Sequence, residues 1–404
     1  MKVALVASGT RGDVGPMISV AEALRDADHE PLLLASPPFG RAAGERGLEW
    51  REIGWDHQQM LAQTAQLKPQ EMGAYTKRHR TEQTAAEIDA LLEFASDADV
   101  IVGSGVPLGA QTVAEYLKVP YRYLALAPVF YHSAEWGDPL ASMIMPAEGP
   151  MAKRFSWMLG GFLGRTIGNT VNPRRAQLGL RPYRDAADAI WDRVGRPILA
   201  AHPQLAPIPG DVKERIVRCG AIRQPDGEAI SEATERYLAD GEPPVFVGFG
   251  SMLGMQPTAL TTVAAAVGKT GRRGIFAGDV WDGIDLPSGS LRCGAEPHEK
   301  LFRRVAVVVS HGGAGTVAQA FWAGAPQVVV TFGGGDQPYW GRATVAAGVA
   351  PARFALTEVE VHGLARALEE AIAGQYAHRA RALAAEVAKS DGAGDVAAEI
   401  VRRS

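Results

Sequence analysis

Short apolar runs alternate with amphipathic stretches along most of this chain. Residues 2–7 are apolar after the leading lysine and predict a buried strand. Residues 16–27 follow with Met17, Val20, Ala21 and Leu24 at helical spacing. A second strand is expected at 31–35, a helix near 39–46, a strand at 100–102, a helix at 109–117 and a strand at 121–126. This alternation predicts a parallel sheet whose ligands sit at the carboxyl ends of its strands. Between residues 130 and 188 the pattern weakens. Trp136, Met143, Met145, Trp157, Met158 and Tyr183 gather there. The segment reads as loops and helices on the sheet, either lining an apolar cleft or forming ordinary helical core. Its most apolar part, 155–163, is broken by Gly160 and Gly161 and bracketed by Arg154 and Arg165. It falls short of the ~20 residues of a membrane span and predicts a surface or substrate-lining helix.

A proline-rich stretch at 202–210 reads as an interdomain linker. After it the alternation restarts, with strands expected at 245–249, 273–277, 290–292, 305–309 and 327–330 and helices between them. Alanine-rich helices are expected at 358–373 and 377–389, and a last one at 394–402. The reading is an α/β protein of two Rossmann-like βαβ domains facing across a cleft. The first domain spans 1–208 and the ligand-loop domain spans 209–380, with further helices at 381–404.

Composition narrows the classes. Hydrophobic residues make up 47% and charged residues 21%, as in a soluble globular protein. The net charge of −4 gives no electrostatic footprint for nucleic acid. Two cysteines, Cys219 and Cys293, are too few for a disulfide framework and lack metal-ligand spacing, so a reducing cytoplasm is expected. The first residues form too short an apolar run for a signal peptide. The nine histidines show no zinc spacing, no serine sits in G-x-S-x-G, and no P-loop is present. Arg11-Gly12-Asp13 spells an adhesion tripeptide, a coincidence in such a loop.

The second half carries four loops at expected strand ends. They are Gly248-Phe249-Gly250-Ser251-Met252, Cys293-Gly294-Ala295-Glu296-Pro297-His298, Ser310-His311-Gly312-Gly313-Ala314-Gly315-Thr316, and Phe332-Gly333-Gly334-Gly335-Asp336-Gln337-Pro338. In a parallel sheet they share one rim. The third hands a buried strand to a helix through glycines, where backbone amides and a helix dipole meet an anion. His311 adds a donor that can be cationic. Asp336 and Gln337 suit the hydroxyls of a polyol, although Asp336 could equally cap the next helix. Phosphate beside polyol suggests a nucleotide sugar. The first half offers one comparable loop, residues 8–16. With Pro16 at the first helical position and Gly15 as cap, Asp13 is left to face the cleft. The glycine spacing there is not G-x-G-x-x-G, so a dinucleotide reading is weak.

Taken together, Gly9-Thr10-Arg11-Gly12-Asp13-Val14, Pro297-His298, the His311 loop and Gly335-Asp336-Gln337-Pro338-Tyr339-Trp340-Gly341 resemble family 1 glycosyltransferases. The closest flavour is the bacterial natural-product and sterol-type branch, with its glycopeptide-antibiotic enzymes. The resemblance implies a GT-B fold, with the acceptor bound mainly by 1–208, the nucleotide sugar by 209–380 and the 381–404 helices packing back toward the first domain, and an inverting, metal-independent transfer of a hexose. The donor would be a UDP-sugar or dTDP-sugar, with no other cofactor. The acceptor would be a hydroxyl of a small, partly apolar natural product. It implies Asp13 as general base. It implies Ser251, His298, His311, Gly313, Ala314, Gly315 and Thr316 around the diphosphate, and Asp336 and Gln337 on the sugar. Arg11, Trp136 and Met143 are candidate acceptor contacts. Where plant-type relatives stack the base on tryptophan, this chain has about Ala295. The usual Gly-Arg-Arg-Val is here Gly341-Arg342-Ala343-Thr344-Val345. Two other readings stay open: a nucleotide-sugar epimerase on a similar fold, and a non-catalytic auxiliary protein of a glycosyltransferase.

Overall fold

Each apolar run read as a strand forms one in the computed structural model. The structure describes all residues except 8, 55, 57–59, 61, 62, 64–66, 130, 132, 139, 140, 142–148, 186, 225–228, 251–255, 333, 334, 403 and 404. Two expected site residues, Ser251 and Met143, lie outside the described residues.

The first unit comprises Met1–Ile222 and Asp391–Ser404. In chain order it contains β1 (Lys2–Ala7), α1 (Arg11–Asp26), β2 (Glu30–Ala35), α2 (Gly40–Gly44), β3 (Glu49–Glu52), α3 (Pro69–Phe94), β4 (Val100–Ser104), α4 (Leu108–Leu117), β5 (Tyr121–Ala125), α5 (Pro150–Gln177), β6 (Ile198–Ala200) and β7 (Val217–Cys219). The strands form a parallel seven-stranded sheet in the order β3-β2-β1-β4-β5-β6-β7. Successive side chains of β1 point to opposite faces. Val3, Leu5 and Ala7 meet Val14, Met17, Val20, Ala21 and Leu24 of α1. Ala4 and Val6 meet the layer of Ile88 and Leu91 from α3 and Val113 from α4. Burial on both faces is why this strand reads as one continuous apolar run.

The second unit is Arg223–Ser390. It holds α6 (Glu232–Ala239), β8 (Val245–Gly248), α7 (Pro257–Lys269), β9 (Gly274–Ala277), β10 (Leu291–Cys293), α8 (His298–Phe302), β11 (Val307–Ser310), α9 (Ala314–Ala323), β12 (Gln327–Thr331), α10 (Gln337–Ala346), β13 (Arg353–Ala355), α11 (Val361–Ile372) and α12 (Gln375–Val387). Its parallel six-stranded sheet runs β10-β9-β8-β11-β12-β13. Val245, Val247, Val307 and Val309 share a core with Val263 and Val267 of α7 and Leu364 and Leu368 of α11. Phe246 and Val308 pack with Phe302 and Ala320 on the other face.

The chain then returns to the first unit with α13 (Gly392–Val401), whose Val396, Ala397 and Ile400 join the core around α1. The boundaries therefore fall at 222 and 391 rather than at 208 and 381. The reason is strand pairing. Residues after the proline stretch supply β7, which pairs with β6 in the first sheet. Likewise α12 packs on α10's neighbours α9 and α11 within the second unit, so only α13 returns.

In both sheets the strand order reverses beside the first strand of the unit. Ala7 of β1 sits opposite Ser104 of β4, and Gly248 of β8 sits opposite Ser310 of β11. These two reversals mark where an open α/β sheet holds its ligands.

Candidate functional site

In the second unit, β11 ends at Ser310 and two glycines carry the chain into α9. Gly312 has φ +86°, and a Cβ there would lie 2.6 Å from Val329 Cγ1 and 3.2 Å from the Gln337 carbonyl oxygen. Only glycine lets the loop lie this close to β12 and the start of α10. Gly313 is the N-cap residue of α9, with extended backbone, no side-chain cap bond and no acidic residue in the first turn. The amides of Ala314, Gly315 and Thr316 are those a helix leaves without intrahelical acceptors. With the positive end of the dipole they form a site for an anion.

The His311 ring stands beside these amides. A Cβ on Gly313 would come 2.5 Å from its Nε2, and one on Gly250 would come 3.2 Å from its Cε1. Glycines of the β8 and β11 loops thus make the room the imidazole occupies. Its Nδ1 is buried and has no hydrogen-bond partner among the described residues. Burial pushes the imidazole pKa down to about 4. The ring is therefore neutral at neutral pH, which corrects the expectation of a cationic donor: desolvation disfavours the charged form. A neutral imidazole still donates one N–H. An orphaned buried polar atom typically costs ~1–3 kcal/mol, which a ligand acceptor would recover.

The other second-unit residues are anchored. Asp336 occupies the N-cap position of α10 but makes no side-chain cap bond. Its Oδ2 accepts instead from Trp340 Nε1 at 2.8 Å. Buried Gln337 accepts through Oε1 from the Phe332 amide at 2.8 Å. These bonds help to fix how each polar end is presented. His298 begins α8, where its ring stacks on Phe302 at 4.7 Å and meets the edge of Phe246 at 5.8 Å.

In the first unit, α1 starts at Arg11, five residues before the expected Pro16. Thr10 is its N-cap residue, and the Asp13 carboxylate reaches back to accept from the Thr10 amide at 2.8 Å and the Thr10 hydroxyl at 3.2 Å. This is the acidic arm of a capping box. Gly9, at φ +148°, makes it possible, because a Cβ there would collide with that carboxylate. The placement of Pro16 at the first helical position is thus corrected. Pro16 lies inside α1, which loses one bond to the Gly12 carbonyl, and the Asp13 cap starts the helix regardless. Asp13 is half-buried and Arg11 beside it is exposed.

Sequence reasoning missed two neighbours of this reversal. Buried Tyr123, on β5, donates to the Gly105 carbonyl at 3.0 Å. Its phenol pKa is raised by burial first and by the Asp13 charge second, which places it in the field of that carboxylate. Glu87, buried on α3, accepts from the Ala110 amide at 2.9 Å, at the start of α4. Burial pushes its pKa up to about 7, against the lowering effect of that bond. No spacing in the sequence announces either residue. Trp136 is half-buried, and its carbonyl accepts from Trp157 Nε1 of α5 at 2.7 Å. Among the described residues no group of His, Cys, Asp and Glu is arranged to hold a metal ion. No helix there is long and apolar enough to cross a membrane.

Known proteins share this plan. Residues 3–134 match the model of the glycosyltransferase family 28 N-terminal domain, and residues 295–396 match that of the family 28 C-terminal domain. Glycosyltransferase GtfE of Amycolatopsis orientalis is 32% identical over 97% of this chain and 95% of its own length. Vancomycin aglycone glucosyltransferase of the same organism is 30% identical with the same coverage. The crystal structure of glycosyltransferase VinC in complex with dTDP superposes with a TM-score of 0.68 at 17% identity, covering 100% of this chain and 99% of that one. Two parallel sheets, each reversing beside a ligand loop, and relatives that span nearly the whole length lead to one conclusion: the chain belongs to the GT-B glycosyltransferases, in their natural-product branch.

Proposed function

We propose that this glycosyltransferase moves a hexose from a UDP-sugar or dTDP-sugar to a hydroxyl of a small, partly apolar natural product, with inversion and without a metal or other cofactor. The observation that carries this reading is the uncapped start of α9 beside His311 Nδ1, which has no partner among the described residues; none of these residues places a carboxylate or cap on that helix start. In this reading Gly313, Ala314, Gly315, Thr316 and His311 hold the diphosphate, with Ser251 and His298 as further donor contacts. The diphosphate gains charge as the sugar bond breaks. The amides and the imidazole then bind the transition state more tightly than the ground state. Asp336, oriented by Trp340, and Gln337 take the sugar hydroxyls.

Asp13 accepts the proton of the acceptor hydroxyl as it attacks the sugar, and Arg11, Trp136 and Met143 are proposed to contact the acceptor. The capping bonds to Thr10 hold the Asp13 carboxylate in place. A positioned base of this kind contributes ~10²–10⁴-fold. The dTDP bound to VinC supports a thymidine donor, and the glucosyl activity in the name of the vancomycin relative supports glucose. The relatives named are transferases, which favours this reading over an epimerase. Free thiols at Cys219 and Cys293 fit a cytoplasmic enzyme.

A thermal-shift screen of UDP- and dTDP-sugars tests the donor half: one of them raises the unfolding midpoint, and no shift with any of them sinks the reading. Asp13→Asn tests the acceptor half. Asparagine keeps an acceptor for the Thr10 amide, so α1 survives while turnover falls ~10²–10⁴-fold. Donor binding by calorimetry stays at the wild-type level. Unchanged turnover removes Asp13 as the base.

A further inference from the structure

One helix face of the first unit is covered by nothing described and is used by nothing above. Along α5, Ser156, Gly160, Gly164 and Gly168 are buried, and a Cβ on Gly160 would collide with the Asp138 carboxylate. These small residues let the helix lie close against its own unit. On the opposite side stand Met151, Phe155, Met158 and Phe162, exposed by 88%, 48%, 64% and 64%. At 100° per residue the four fall within an arc of about 60°. Single exposed apolar residues are ordinary, but four large ones in one stripe mark an interaction surface.

Charge says what would cover it. From Pro150 to Gln177 the helix contains Lys153, Arg154, Arg165, Arg174 and Arg175 and no acidic residue. Arg174 and Arg175 are engaged within the unit by Asp89 and Glu115. Arg154 and Arg165 are exposed, make no ion pair with any described residue, and fall along one border of the apolar stripe. The chain as a whole is net negative, so this positive border stands out from its surroundings. An apolar stripe edged by unpaired arginines is complementary to an anionic lipid surface, with side chains entering the acyl boundary and guanidinium groups meeting phosphates.

We propose that the outward face of α5 docks on an anionic bilayer surface, through Met151, Phe155, Met158 and Phe162 with Arg154 and Arg165 at the headgroups. Such docking brings the enzyme to the membrane without a span and delivers it to acceptors dissolved there.

The test is co-sedimentation of the full chain with vesicles of phosphatidylcholine alone and with about 30% phosphatidylglycerol. The protein sediments with the anionic vesicles, stays in solution with the neutral ones, and is released by raised salt. Phe155→Glu with Phe162→Glu abolishes sedimentation while the unfolding midpoint is retained. Arg154→Gln with Arg165→Gln weakens binding by about thirty-fold, at the usual strength of two cationic side chains near an anionic surface. The arginine pair decides the matter alone if the glutamate pair fails to fold. Three results overturn the proposal. One is no sedimentation with either vesicle, and another is binding unaffected by both pairs. The third is a dimer that the glutamate pair dissociates and vesicles leave untouched, which would make the face an interface between two copies.

Discussion

The two units run the same strand order past the same reversal, yet they treat the helix beside it in opposite ways. In the first unit that helix is α4, which follows β4, and the buried Glu87 carboxyl reaches over from α3 to take its Ala110 amide. A Cβ on Gly109 would come 2.8 Å from Glu87 Cδ, so glycine clears the space for that carboxyl. In the second unit the equivalent helix is α9, which follows β11. It has no acidic residue in its first turn and no side-chain cap, and a neutral imidazole stands beside it. One unit fills its helix start with a group of its own, and among the described residues the other leaves it open. The same contrast holds for α1, whose start carries Asp13. A shared architecture therefore does not make two equal sites. In the proposed reading, the half without a carboxyl of its own at the helix start recruits the anion, and the half that carries one handles the proton.

The contrast predicts distinct outcomes, taken here from the largest effect down. His311→Ala removes the donor at the open helix start and lowers kcat by ~10²–10³-fold, measured at saturating donor. If kcat holds and only donor KM rises, His311 binds the ground state and transition state equally.

Glu87→Gln keeps the acceptor for the Ala110 amide and removes the charge. The folded-state pKa of Glu87 is raised above its ordinary 4.5 to about 7, so the folded protein binds this proton more tightly than the unfolded chain. The associated stability is full below pH 4.5 and is lost as pH rises through 7. The variant is accordingly more stable than wild type at pH 8, by about 3 kcal/mol at most, and the difference vanishes below pH 4.5. Urea unfolding across that range checks it. His311 gives the opposite slope. With its folded pKa lowered from 6.5 to about 4, its contribution is present above 6.5 and is lost as pH falls toward 4.

Ala314→Glu tests the comparison directly by giving α9 the carboxylate its counterpart has. Dipole pairing adds up to ~1 kcal/mol of stability, while donor affinity by calorimetry falls about tenfold because the anion site is partly filled. Trp340→Phe is the mildest change. It removes the bond that orients Asp336 and raises donor KM about fivefold, the equivalent of ~1 kcal/mol. An unchanged KM would mean that Asp336 is held in place without the Trp340 bond.

Much of this contrast is legible in the sequence on one side only. The β11–α9 handover shows itself because glycines must cluster where backbone approaches backbone, as Gly312 does against Val329 and Gln337. The central strands show themselves because burial on both faces makes them apolar throughout. By contrast β3, with sequence EWRE, is a mostly exposed edge strand, and the three-residue β6, β7 and β13 are too short to carry a period. Of the long helix α5 only 155–163 shows itself, because much of its buried face is serine and glycine and its large apolar residues point outward, the reverse of the usual pattern. Glu87 is one glutamate in a polar helix, and its role depends on a partner twenty-three residues on. The sequence points to Pro16 as the start of α1 because proline is the louder local signal, whereas the Thr10–Asp13 cap outweighs it.

The returning helix α13 orders events during synthesis. Val396, Ala397 and Ile400 are part of the core beneath α1, and a Cβ on Gly392 would collide with the Ala221 carbonyl, so α13 is seated against the first unit rather than laid over it. Until residues 391–401 have left the ribosome, Met1–Ile222 lacks that piece of its interior. The second unit, Arg223–Ser390, is contiguous and has all of its chain before then. The half that is translated first is the half that is finished last.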